Sequence, residues 1–135
     1  MKETPSMKCY HSATVGPNKA ALQIALRKAY SINTDTCIAL PELRLLEGVL
    51  GEILGERAVK FLKKDHKAQY FGKPLRITTP KIDVGVLYGA IIAAYVDMAQ
   101  LDALAAKYPK QTFIYLAPDD EALAAYLAKH ASMAI

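Results

Sequence analysis

The apolar positions of this chain change period repeatedly along its length. Residues 8–15 form an extended, apolar-rich stretch that stops at Gly16-Pro17. Proline suits the first turn of a helix. Ala20, Ala21, Ile24, Ala25 and Lys28 follow at three-four spacing, which predicts an amphipathic helix over 17–30. A polar turn at 31–35 leads to a short strand at 36–40. Pro41 opens a long helix in which Leu46, Leu50, Ile53, Leu54, Phe61 and Leu62 mark one buried face, fraying over 65–69. Gly48, Gly51 and Gly55 form a second stripe on it. Each glycine inside a helix costs up to about 1 kcal/mol against alanine, so three predict close backbone contact or a break near Gly55.

Gly72 and Pro74 fall in a loop before a strand at 75–79. Residues 84–96 carry the strongest β signal, rich in valine and isoleucine and apolar on both faces. A central strand covered by helices on both sides has this composition. Gly85 and Gly89 within it mark a bulge or close packing. Residues 97–107 read as a helix capped by Asp97, with Gln100 three positions on. A turn at 108–110 gives way to a strand at 111–116 and a last helix at 118–130. Alternating strands and helices predict one α/β domain over 8–135, preceded by a flexible leader at 1–7. The expected architecture is Rossmann-like and three-layered, with about five mainly parallel strands and four helices on both faces. The adjoining strands around 72–83 leave room for one antiparallel pair.

Composition narrows the class further. Hydrophobic residues make up 53% of 135, enough to exclude disorder as the main state and to fill one core. Two cysteines, Cys9 and Cys37, exclude a disulfide scaffold. Both lie in apolar strand-like stretches, where a buried thiol is expected. The first seven residues lack a secretory apolar stretch, and the apolar run at 84–96 falls short of the roughly 20 residues of a membrane helix. These features point to the cytoplasm and to no membrane partner.

The formal charge of +4 is unevenly placed. Residues 57–81 hold Arg57, Lys60, Lys63, Lys64, Lys67, Lys73, Arg76 and Lys81 against the single acid Asp65. The rest of the chain holds nine bases and twelve acids. Lys60, Lys63, Lys64 and Lys67 share a helix side at i, i+3, i+4 and i+7, and Tyr70 and Phe71 follow directly. Basic groups interleaved with aromatics suit a phosphate backbone with stacked bases. Lysines near a helix C-terminus also offset its dipole, so part of this cluster has a structural explanation. The expected ligand is polyanionic, either nucleic acid or a phosphorylated small molecule, bound through Arg57, Lys60, Lys63, Lys64, Lys67, Tyr70, Lys73 and Arg76.

A second candidate lies at the C-terminal ends of the strands, where open α/β sheets take their ligands. Asn18, Lys19, Glu42, Asp97 and Asp119 fall there. Convergent carboxylates would hold a hard cation for phosphoryl transfer or hydrolysis, whereas acids at helix starts are explained by capping alone. The turn at 14–19 has neither nucleotide-binding glycine pattern. His11, His66 and His130 are not at metal-ligand spacing with one another, and Ser12 is not in a nucleophile elbow. No cofactor or resident metal is expected. A third reading is structural: self-association or partner docking through the glycine stripe or the Ala-rich last helix.

Overall fold

The computed structural model describes residues 9–82, 85 and 89–135. The described elements run β1 (Cys9–His11), α1 (Lys19–Ile32), β2 (Thr36–Ala39), a 3₁₀ helix (Leu43–Glu47), α2 (Val49–Leu54), α3 (Glu56–Asp65), β3 (Lys67–Tyr70), β4 (Lys73–Thr78), β5 (Ala90–Ala94), α4 (Met98–Lys107), β6 (Phe113–Leu116), α5 (Asp120–Lys129) and β7 (Ser132–Ala134). The strands form one sheet in the order β3-β4-β2-β5-β6-β1-β7. All neighbours are parallel except β3 and β4.

Three layers follow from the side-chain alternation of the strands. Leu22 and Leu26 of α1, Leu50 of α2 and Leu62 of α3 join Ile38, Ile77, Ile92 and Ile114 in one apolar cluster. Leu101 and Leu104 of α4 and Tyr126 of α5 join Cys37, Ile91, Phe113 and Tyr115 in another. The first three helices thus cover one face and the last two cover the other. β2, β5 and β6 are buried along their whole length.

The predicted helix from Pro41 is instead a 3₁₀ turn and two helices, broken at Gly48 and Gly55. Gly55 has φ +91, which no α-helical residue adopts. A Cβ on Gly51 would sit 2.5 Å from the Leu46 carbonyl oxygen. Both expectations for these glycines are met: a close backbone contact at Gly51 and a break at Gly55. The first strand ends at His11, short of residue 15, because the Ser12 hydroxyl accepts the Thr14 N–H at 3.1 Å and bends the chain.

Two strands beyond the expected five come from segments read as a fraying helix and a tail. His66 closes α3 in the left-handed region, and β3 starts at the next residue. The antiparallel pair is β3 with β4, joined at Phe71-Gly72. β4 and β5 do not pair, since β2 lies between them. Within 84–96, strand begins only at Ala90, and residues 84 and 86–88 lie outside the described residues. The strand stops at Tyr95, whose φ is +65. The expected leader at 1–7 also falls outside the described residues. β7 pairs with β1 and is fixed there by a 2.8 Å hydrogen bond between His11 Nδ1 and Ser132 Oγ, and by the Ile135 N–H donating to the His11 carbonyl at 3.0 Å. Among the described residues no helix is long and apolar enough to cross a membrane.

Two outcomes follow for stability. A Cβ on Gly89 would lie 1.6 Å from the Asp35 carbonyl oxygen, where β5 starts beside β2. Gly89→Ala should destabilise the fold by about 3 kcal/mol, the upper range for overpacking, read from the denaturant midpoint. Burial lowers the pKa of His11 below its ordinary 6.5. The unfolded chain then takes up that proton first, so this contribution is intact above about pH 6.5 and is lost on acidification. His11→Gln should flatten the fall in stability between about pH 7 and pH 5.

Candidate functional site

The rim residues are set by helix starts. Asn18 Oδ1 accepts the Ala21 N–H at 2.9 Å and caps α1. Asp97 Oδ1 accepts the Gln100 N–H at 2.8 Å and caps α4. Asp119 Oδ1 accepts the Ala122 N–H at 2.8 Å and caps α5. Glu42 is exposed and pairs with Arg44, and Lys19 is exposed in the first turn of α1. Among the described residues no three His, Cys, Asp or Glu side chains come together to hold a metal ion.

Asp97 and Asp119 do share a neighbour. Burial, with Asp119 and Asp97 adding negative charge, pushes the Tyr115 phenol up to about 12. Its hydroxyl donates to the Val96 carbonyl at 2.8 Å. A phenol so held stays protonated at neutral pH and offers no base. The thiols are equally quiet: burial pushes Cys37 up to about 12 and raises Cys9. A thiol that stays protonated is a poor nucleophile.

The eight basic-segment candidates fall on three surfaces. Arg57, Lys60 and Lys64 are exposed on α3. Lys63, on the same helix, pairs with Glu47 at 2.7 Å. Lys67 and Arg76 are opposite one another in the β3–β4 ladder, on the sheet face turned away from α3, because Leu75 and Ile77 point into the core beneath it. Arg76 Nη2 lies 3.9 Å from Asp35 Oδ2. Lys81 borders a different cleft, one that Asp97 and Lys107 also line. Among the described residues, Lys81 is thus where the basic segment comes beside the acidic rim.

Tyr70 and Lys73 belong to a recess that the linear pattern did not reveal. It has a volume of about 530 Å³ and lies between the end of α1 and the β3–β4 turn. Arg27 and Tyr30 come from α1, and Tyr70, Phe71 and Lys73 from the hairpin. The Tyr30 and Tyr70 rings stack with centroids 6.1 Å apart and planes at 17°. Tyr70 and Phe71 meet edge to face at 4.7 Å. Lys73 Nζ lies 5.3 Å from the Tyr30 ring centroid, within cation–π reach. The Tyr30 hydroxyl donates to the Pro74 carbonyl at 2.9 Å, and burial pushes the phenol up to about 12. The recess is thus a pair of stacked rings with a cation at its side and a third ring at its lip.

That third ring is Phe71, which is 85% exposed. It sits at φ +51, followed by Gly72 at φ +76. Positive φ at both central residues is the requirement of the type I′ turn, for which Asn-Gly is the favoured pair. A large aromatic placed there breaks both the burial preference and the backbone preference of its type. The sequence signals for this site are weak but present: Arg27 and Tyr30 stand three apart on α1, and an aromatic pair precedes Gly72.

No protein-family model matches this chain, and neither a curated protein nor a solved structure matches it. The site geometry therefore carries the functional reading by itself. Phe71→Asn should raise stability by about 0.5–1 kcal/mol, since it supplies the residue the turn favours. Thermal unfolding of the two proteins in one buffer measures this.

Proposed function

We propose that this domain is a non-catalytic binding module for a polyanion, and that single-stranded nucleic acid is the ligand its recess fits best. The carrying observation is the exposed Phe71 ring beside the stacked Tyr30 and Tyr70, with Arg27 and Lys73 at the same opening. An aromatic face accepts any base, and flanking cations meet the backbone phosphates. Arg57, Lys60 and Lys64 extend the positive field across α3. An exposed ring contributes little to a free phosphorylated metabolite but adds stacking to an unpaired base, which favours the nucleic acid. Two buried, uncrosslinked cysteines suit a reducing compartment, and we place the protein in the cytoplasm.

The test is binding of a labelled twelve-nucleotide oligothymidylate against a mononucleotide across a salt series. The oligonucleotide should bind more tightly. Its affinity should fall by about 0.7 log units per tenfold rise in salt for each phosphate neutralised. Phe71→Ala should cost about 1–3 kcal/mol of binding through lost stacking, and Lys60→Glu combined with Lys64→Glu should lower the salt slope. Absence of salt-sensitive binding at low ionic strength would sink the proposal.

A further inference from the structure

At the edge of the sheet, α3 and β3 enclose a second opening. β3 ends the strand order, so among the described residues no strand lies beyond it. Ile77 N–H donates to the His66 carbonyl at 3.0 Å, which fixes the alternation of the antiparallel ladder. By that alternation His66, Ala68 and Tyr70 turn their backbone groups toward β4, while Lys67 and Gln69 turn theirs outward. Alongside this free edge runs a groove of about 670 Å³. Leu54, Ala58 and Phe61 line its helix side and Ala68 its strand side. Ala68 is small and faces the helix layer, so its side chain leaves the gap between the layers open. Phe61 remains 43% exposed at the mouth.

We propose that this edge receives an extended acidic peptide of a partner protein, added as an extra strand beside β3. Backbone bonds to Lys67 and Gln69 would give affinity, and alternate side chains would seat in the groove beneath Phe61. The rim charge selects the occupant. Arg57 borders the groove and Lys60 and Lys64 stand on the same helix, against Asp65 in the groove and Glu56 at the start of the helix, while Lys67 lines the edge with its side chain on the far face of β3. A second copy of this chain would bring the same cations to the same edge, and like charges across an interface cost affinity. An apolar groove served by outward amide and carbonyl groups matches a peptide backbone rather than a sugar-phosphate one. This site stands apart from the recess around Phe71 and does not depend on it.

The probe is a labelled hexapeptide, Asp-Val-Glu-Val-Asp-Val, followed by fluorescence anisotropy with the full chain. Saturable binding is expected, and the peptide with lysine at each acidic position should not bind. N-methylation of alternate residues of the peptide, in either register, should weaken binding at least tenfold for the register facing β3. Gln69→Pro removes an outward N–H without touching the β3–β4 ladder, as an edge strand tolerates. It should weaken the peptide at least tenfold and leave oligothymidylate affinity unchanged. The proposal is overturned if the acidic peptide does not bind at low salt, or if both N-methylated forms bind as well as the parent. It is equally overturned if Gln69→Pro reduces oligonucleotide affinity as much as peptide affinity, for then the edge belongs to the nucleic-acid surface.

Discussion

Everything in this molecule is subordinate to covering a parallel sheet on both sides. β2, β5 and β6 expose almost nothing, so each must have a helix above and another below. Among the described residues five α-helices accomplish this, three on one face and two on the other. Over β2, β5 and β6 the sheet faces are then closed to ligands. What remains open is the perimeter: the strand ends, the hairpin turn and the outer edge of β3. The recess and the groove both lie on that perimeter, and both are built from the hairpin that extends the sheet past its parallel strands.

The same constraint explains why the acids and the bases of this chain have different fates. A helix that returns over a sheet must start abruptly after a strand, and its first amides need acceptors. Asp97 and Asp119 are committed to that task, as is Asn18. The lysines of α3 have no comparable duty beyond its last turn. Among the described residues Lys63 alone of them meets an acid at short range, Glu47, and this is an exposed pair of small energetic weight. Positive charge is thus left over around α3, although the numbers of acids and bases in the chain differ by only four.

The layered fold was legible in the chain because its signals are local. Asp97 with Gln100 three positions on reads as a helix start, and it is one. The apolar character of 90–94 reads as buried strand for the same reason. The misreadings arise where a tertiary neighbour decides. The break expected near Gly55 is present, at φ +91, but the 3₁₀ turn and the short helix before it were not local signals: there the Leu46 carbonyl oxygen lies 2.5 Å from where a Cβ on Gly51 would be. Lys67 to Tyr70 alternates too briefly to be told from a fraying helix, and becomes a strand because β4 returns beside it. β7 is three residues long and exists through its pairing with β1. The recess was hidden for a related reason. Tyr30 and Tyr70 are stacked in space but separated by one strand and three helical segments in the chain.

The place of β1 has a consequence for how the fold is reached. Its two neighbours in the sheet are β6 and β7, both at the far end of the described chain. His11 and Ser132, which tie β1 to β7, are 121 residues apart. β2, β3 and β4, by contrast, are contiguous in both sequence and space. A chain emerging from the ribosome can assemble the hairpin half, with α2 and α3, before the other half has its partners. The first of the described strands is thus among the last of them to be paired. Until synthesis reaches β6, its Cys9 and Tyr10 have no sheet to join, and the closing loop is long enough to make that step slow.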